Sequence, residues 1–157
     1  FPDMDTLKEI VLYGAKIGGD KKHLVYNDFY IGEDSDVVIV AGCGIHNCGV
    51  QDSQHDGIHR FFVGKNAKVK YIEKHYGEGD GTGKRILNPV TEVYMEENSS
   101  MEMEMVQIKG VDSTVRTTKA ELAKDASLVV RERLMTHGSQ FGRMDLISSF
   151  RCPEFII

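Results

Sequence analysis

From about residue 24 onward, apolar and polar residues alternate with a period of two, the mark of strands that bury one face. The cleanest run is Met101-Glu102-Met103-Glu104-Met105. Both residue types favour helices, yet on a helix these methionines would scatter over opposite faces, whereas on a strand they share one. The pattern therefore predicts a strand against the local propensity. Residues 1–23 read differently. Asp5 or Thr6 can cap a short helix carrying Leu7, Ile10 and Val11 on one face, and Gly14, Gly18 and Gly19 would end it. A short helical or irregular N-terminal segment is the expectation there.

A repeat is built into the strand entries. Ile31 to Val37, Val63 to Val69, Met95 to Met101 and Leu122 to Leu128 share one form: apolar, two small or polar residues, Asp or Asn, Ser or Ala, polar, apolar. The acidic or amide positions Asp34, Asn66, Asn98 and Asp125 are 32, 32 and 27 residues apart. Asp and Asn tolerate left-handed backbone angles and bond their own backbone, which suits a tight corner between two strands. Four such units suggest an all-β solenoid, in which each rung buries its apolar face only by stacking on the next. A meander or sandwich, whose strands also recur between regular turns, is the competing architecture. The organisation read from the chain is an N-terminal segment over 1–23, a core over 24–140 and an unassigned tail over 141–157, where no unit of the repeat recurs.

Composition narrows the class. The 157 residues carry 19 Lys and Arg against 24 Asp and Glu, a net charge of −5. That length can bury roughly two-thirds of the unfolded surface. The acidic balance argues against a nucleic-acid binder, which usually shows a basic stripe. No run approaches the ~20 apolar residues of a membrane span, and no basic-then-apolar leader opens the chain. The expectation is a cytoplasmic protein bound to neither membrane nor nucleic acid. Three cysteines, Cys43, Cys48 and Cys152, do not make a disulfide framework.

Candidate chemistry follows from four places. Gly77 to Lys84 is glycine-rich, but it lacks the Walker spacing, with Glu78 where the first glycine belongs and Arg85 where Ser or Thr belongs; a flexible solvated loop fits better. His55 and His59 have the i, i+4 spacing of a zinc-protease helix, yet Asp56 replaces the catalytic Glu and Gly57 disfavours a helix. On a strand the two face one side about 13 Å apart, too far for one ion. Glu73, Glu78, Asp80 and Glu92 are carboxylates from which a sugar-cleaving pair could be drawn, in surroundings charged enough to make them solvated faces. The segment Gly42-Cys43-Gly44-Ile45-His46-Asn47-Cys48 is the densest. It follows the apolar run Val37 to Val40, so Cys43 sits at a strand end, buried or presented to a neighbour. Cys43, His46 and Cys48, with a rung neighbour such as His75 or His137, are the candidate metal or cluster contacts. Without a second CxxC pair a structural zinc site is not expected.

Several blocks together resemble the SufB/SufD family of the SUF iron–sulfur assembly machine. They are Val40-Ala-Gly-Cys43, His55-Asp-Gly-Ile-His59, Tyr71-Ile-Glu-Lys-His75-Tyr-Gly-Glu-Gly79, Arg85-Ile-Leu-Asn-Pro-Val-Thr91, Met101-Glu-Met-Glu and Gln107-Ile-Lys-Gly-Val-Asp-Ser-Thr114. They run in order through about three-quarters of the chain and look closest to SufB-like archaeal members. The resemblance implies a right-handed parallel β-helix and a non-catalytic scaffold role. It implies as partners a SufC-like ABC-type ATPase, a sulfur donor protein, and a paralogous SufB/SufD subunit or a second copy. It also implies a transient iron–sulfur cluster in the full-length complex, with none held stably by this chain. By position it gives Cys43 the role of sulfur acceptor. The family's later cysteine, histidine and carboxylate, and its ATPase-binding helices, have no counterpart before the chain departs from the pattern after Gln140. Two readings of other classes stand beside it: a β-solenoid polysaccharide hydrolase or lyase, and a purely structural interaction module.

Overall fold

The computed structural model describes residues 9–13, 17–18 and 22–151, with side chains from residue 22 onward. Twelve strands follow one another: β1 (Glu9–Tyr13), β2 (Ile17–Gly18), β3 (Lys22–Ile31), β4 (Asp36–His46), β5 (Ser53–Val63), β6 (Lys68–Glu78), β7 (Arg85–Leu87), β8 (Val90–Met95), β9 (Ser100–Lys109), β10 (Ser113–Leu122), β11 (Ser127–Leu134) and β12 (Phe141–Phe150). No helix occurs among the described residues. One sheet holds β1, β2, β4, β6, β9 and β11, and the other β3, β5, β7, β8, β10 and β12. From β3 onward the chain crosses between the sheets at every corner, and each strand pairs in parallel with the strand one turn away. The result is a parallel β-helix, a β-solenoid of about four turns. A meander would have paired sequential strands antiparallel through hairpins, and no such pairing is present among the described residues.

The repeat read from the sequence is the geometry of one corner. Asp34, Asn66, Asn98 and Asp125 are the four non-glycine residues with positive φ among those described, at 57°, 58°, 56° and 58°. The four corners stack. The Asp34 amide donates to the Lys65 carbonyl at 2.9 Å, that of Asn66 to Glu97 at 3.0 Å, and that of Asn98 to Lys124 at 3.1 Å. The Asn66 side-chain amide donates to Asp34 Oδ1 at 2.8 Å, tying two rungs together. A left-handed angle costs an ordinary residue about 1–2 kcal/mol, which glycine avoids and asparagine softens. Asn66→Ala is accordingly expected to lower the unfolding free energy by about 1–2 kcal/mol. Asn66→Gly should lose less. Denaturant midpoints of the two variants test this, and equal losses would separate the corner's stability from its backbone angle.

Between the sheets lies the core. Met101, Met103 and Met105 are buried as the alternation requires, beside Ile39, Phe61, Val63, Val69, Tyr71, Val93 and Met95. Phe29 stacks on Phe61 with ring centroids 4.6 Å apart, and Tyr71 meets Phe61 edge-on at 4.8 Å. Each such side chain contributes about 1.5–3 kcal/mol on burial. On the outer face of the second sheet, Tyr30, Phe62 and Tyr94 form a ladder with centroid spacings of 4.8 and 5.2 Å.

Three expectations change. Glu9–Tyr13 is a strand, not part of a helix, and it pairs with Val38 to Gly42. A helix this short is marginal alone, and the open edge of β4 satisfies the same backbone groups. The rest of that helix, Asp5 to Leu7 included, lies outside the described residues. The tail supplies β12, paired with β10 over ten residues from Phe141 to Phe150, so the solenoid continues past residue 140. The glycine-rich segment is packed. Its backbone lies on the preceding corner, with Gly81 N–H donating to the Asn47 carbonyl at 3.0 Å and Gly83 N–H to that of Gly49 at 3.1 Å. A Cβ on Gly79, whose φ is +107°, would stand 2.0 Å from the Asn47 carbonyl oxygen. Glycine here serves close stacking.

Candidate functional site

Inward positions of the strands are mostly apolar, but at one level of the solenoid they turn polar. On β4 the inward series runs Ile39, Ala41, Cys43, Ile45; on β6 it runs Val69, Tyr71, Glu73, His75. The register places Cys43 beside His75, one rung apart. From the opposite sheet, β5 sends in His55 and His59, and β10 sends in Thr114, Arg116 and Thr118. All of these are buried apart from Cys43, which is partly so. Period two explains the inward placement: each group lies an even number of residues from an obligatory core position such as Phe61, Val69 or Ala120.

Glu73 is the centre. It is wholly buried, with His75 Nε2 at 3.2 Å and His59 Nε2 at 3.6 Å from its Oε1. Neither approach is well aligned as a hydrogen bond, so the carboxylate is poorly satisfied although both imidazoles face it. Leaving a buried polar group unsatisfied costs about 1–3 kcal/mol, and more when it is charged. Burial disfavours the ionised form, but His75, His59 and Arg116 around it outweigh burial and hold the carboxyl well below the usual carboxylate range. The ligand atoms of Cys43, His59 and Glu73 all lie within 4.8 Å of one another.

The surrounding groups fix the histidines. Arg116 Nη1 lies 3.2 Å from His75 Nδ1. A guanidinium is donor only, so His75 Nδ1 must accept, and its proton sits on Nε2 facing Glu73. Arg116 Nε is also paired with the Glu132 carboxylate. Asn27 lies 3.4 Å from His59 Nδ1. Burial, then the nearby cationic groups, pull the His59 pKa below its usual value despite the opposing pull of Glu73. Burial lowers that of His55 as well, helped by His75 and His59. Burial, with Glu73 beside it, pushes the Cys43 thiol up to about 12. Tyr71 is shifted well upward for the same two reasons, burial and the neighbouring Glu73 carboxylate toward which its hydroxyl lies. The chamber thus combines a protonated thiol, an imidazole within 4.8 Å of it, and a poorly satisfied carboxylate.

Of the residues singled out from the sequence, Cys43 and His75 belong to this chamber. His46 and Cys48 do not: they form their own contact, Sγ to Nε2 at 2.9 Å, where Cys48 is exposed after β4. His137 is exposed in the corner before β12. Cys152 lies outside the described residues. His55 and His59 share a face as expected, but the face is interior and only His59 joins the thiol. Asp56 points the other way, to Gln54 at 2.9 Å and Lys22 at 3.3 Å. Glu73, expected on a solvated face, is fully buried instead, because its strand alternation puts it in line with Tyr71. Arg116 and Glu132 were not foreseen; Ser113-Thr114-Val115-Arg116-Thr117-Thr118 reads as an ordinary polar strand. For Glu73 and His59 a signal existed: counting forward in twos from Val69 reaches Glu73, and counting back in twos from Val63 and Phe61 reaches His59.

Fold and chamber together define a parallel β-solenoid with a charged, thiol-bearing site in its interior. No protein-family model, curated protein or solved structure matches the chain. No helix among the described residues is long and apolar enough to cross a membrane.

Proposed function

We propose that the chain is the core of an iron–sulfur cluster assembly subunit resembling SufB and SufD, and that Cys43 accepts sulfur within the solenoid. The observation that carries the reading is the inward placement of Cys43 in a chamber with His59, Glu73 and His75. The resemblance blocks support it, since their strand-and-corner spacing is that of a β-solenoid.

The step balances without an outside oxidant. The Cys43 thiol gives its proton to His59, and the thiolate attacks the terminal sulfur of a donor persulfide. A Cys43 S–S bond forms, the donor's S–S bond breaks, and the donor leaves as a thiolate that is then protonated. The lowered pKa keeps His59 neutral at pH 7, and with the thiol raised to about 12 it takes the proton only in step with attack on the persulfide. Sulfur and iron are cargo in this reading. Cluster completion falls to the assembly, comprising a SufC-like ATPase, a sulfur donor protein and a paralogous subunit or second copy, so this chain is not itself an enzyme.

The test loads sulfur from a cysteine desulfurase onto a Cys48→Ser variant and maps the product by peptide mass. One added sulfur atom is expected on the peptide spanning residues 23–60, and none after Cys43→Ser. Equal loading of the two variants would remove Cys43 from the role.

A further inference from the structure

We infer that Cys43, His59 and Glu73 bind a single divalent transition-metal ion of borderline softness, of the Zn2+, Co2+ or Fe2+ class, in the interior of the solenoid. This site goes beyond the sulfur-acceptor reading and stands without it, since it rests on the donor set alone.

Geometry supplies the first support. The three donor atoms lie within 4.8 Å of one another. Bond lengths of about 2.0–2.3 Å put tetrahedral ligands about 3.4–3.7 Å apart, so a contraction of about 1 Å closes the site. Rotation of the side chains can provide that. The strands of both sheets already hold the three groups: β4 gives the sulfur, β6 the carboxylate and β5 the imidazole.

The second support is independent of spacing. Glu73 is completely buried; His75 Nε2 stands 3.2 Å and His59 Nε2 3.6 Å from its Oε1, neither as an aligned hydrogen bond. Arg116, the nearest fixed cation, is committed to Glu132 and His75. The positive charge that holds Glu73 ionised thus reaches it from Arg116 by way of His75 rather than by direct contact. A divalent ion with Cys43 thiolate and Glu73 carboxylate makes a neutral unit, which the interior tolerates far better than a lone charge.

Donor chemistry selects the ion. Magnesium and calcium prefer oxygen-only shells, and copper(I) prefers sulfur-rich ones. One thiolate, one imidazole and one carboxylate suit zinc, cobalt(II) and iron(II) and leave a fourth position open. The outer shell is also in place. Asn27 stands at His59 Nδ1, where its amide oxygen, with the amide turned over, accepts the Nδ1 proton and frees Nε2 for the ion. His75 presents its Nε2 proton to the carboxylate from the other side.

Cobalt(II) tests the site by absorption alone. The full chain carrying Cys48→Ser and Cys152→Ser keeps Cys43 as its one thiol, which removes the exposed Cys48–His46 pair as a competing soft site. Titration with Co2+ is expected to give a sulfur-to-cobalt charge-transfer band that saturates at one ion per chain. Adding Cys43→Ser should abolish the band. Glu73→Gln should weaken binding at least about tenfold, and Asn27→Leu should weaken it about 10–100-fold. Circular dichroism confirms that each variant keeps its strands. No band in the folded single-thiol chain, or unchanged affinity in Glu73→Gln, would overturn the assignment. The titration uses neither sulfur donor nor ATPase, so it can fail while sulfur loading succeeds, and the reverse.

Discussion

Replacing Arg116 with methionine is expected to lower the unfolding free energy by about 3–5 kcal/mol, among the largest single losses in the molecule. The side chain is nearly inaccessible, and it carries the positive charge for two carboxylates, Glu132 by direct pairing and Glu73 through the interposed His75. Methionine fills comparable volume, so the loss measures charge rather than cavity. Removing one partner of a buried pair strands the other, whereas replacing both relieves the penalty. The double variant Arg116→Met, Glu132→Leu should therefore recover much of what the single variant loses. Urea denaturation of the three proteins decides it. A single variant within about 1 kcal/mol of the parent would mean that the pair contributes no more than an exposed surface ion pair does.

Acid should unfold the protein early. His55 and His59 have folded-state pKa values below their usual 6.5, chiefly through burial. In the unfolded chain both take up protons around that value, while in the folded chain they resist. The unfolded state therefore binds more protons below pH 6.5, and stability falls as pH falls. Each histidine contributes a slope of at most about 1.4 kcal/mol per pH unit, so together the limit is about 2.7. Glu73 acts in the same direction further down. Its depressed pKa contributes stability that is fully present well above the model-compound value of 4.5 and is lost as pH falls through the folded value. Denaturant midpoints between pH 7.5 and 4 should drop steadily from about pH 6.5. A flat profile to pH 5 would mean that His55 and His59 titrate alike in both states. In a His59→Gln variant the slope between pH 6.5 and 5 should be roughly halved.

The fold was legible where local chemistry and tertiary need coincide. Asp34, Asn66, Asn98 and Asp125 are residues that accept a left-handed angle, and every rung needs one at that corner. Met101 to Met105 alternate so strictly that period overrode propensity, and they are buried as expected. The site was legible in part. Cys43 stands out because it follows the apolar run Val37 to Val40 in the segment densest in Cys and His, and His75 follows from rung spacing. Glu73 and His59 lie in phase with core positions but were discounted because polar residues usually face outward, and Arg116 was hidden altogether. Their burial depends on partners from other strands: Arg116 meets His75 across the interior, 41 residues away in the chain. No local pattern carries that. The N-terminal helix failed for a related reason, since the edge of β4 offers Glu9–Tyr13 a ladder that a short isolated helix cannot match.

The shortening of the repeat has a consequence for how the chain can vary. Gln107 pairs with His75 at a spacing of 32 residues, while Ser113 pairs with Ile86 at 27. The missing five residues thus all come out of one corner, and the opposite corner keeps the same length at Asp34, Asn66, Asn98 and Asp125. The molecule has a fixed spine on one side and an adjustable margin on the other. Chain lost at that margin is absorbed there, with one bulge between β6 and β9 after His75, while Glu73 and His75 keep the register of the earlier rungs, so the interior chamber is insulated from changes in contour length outside it.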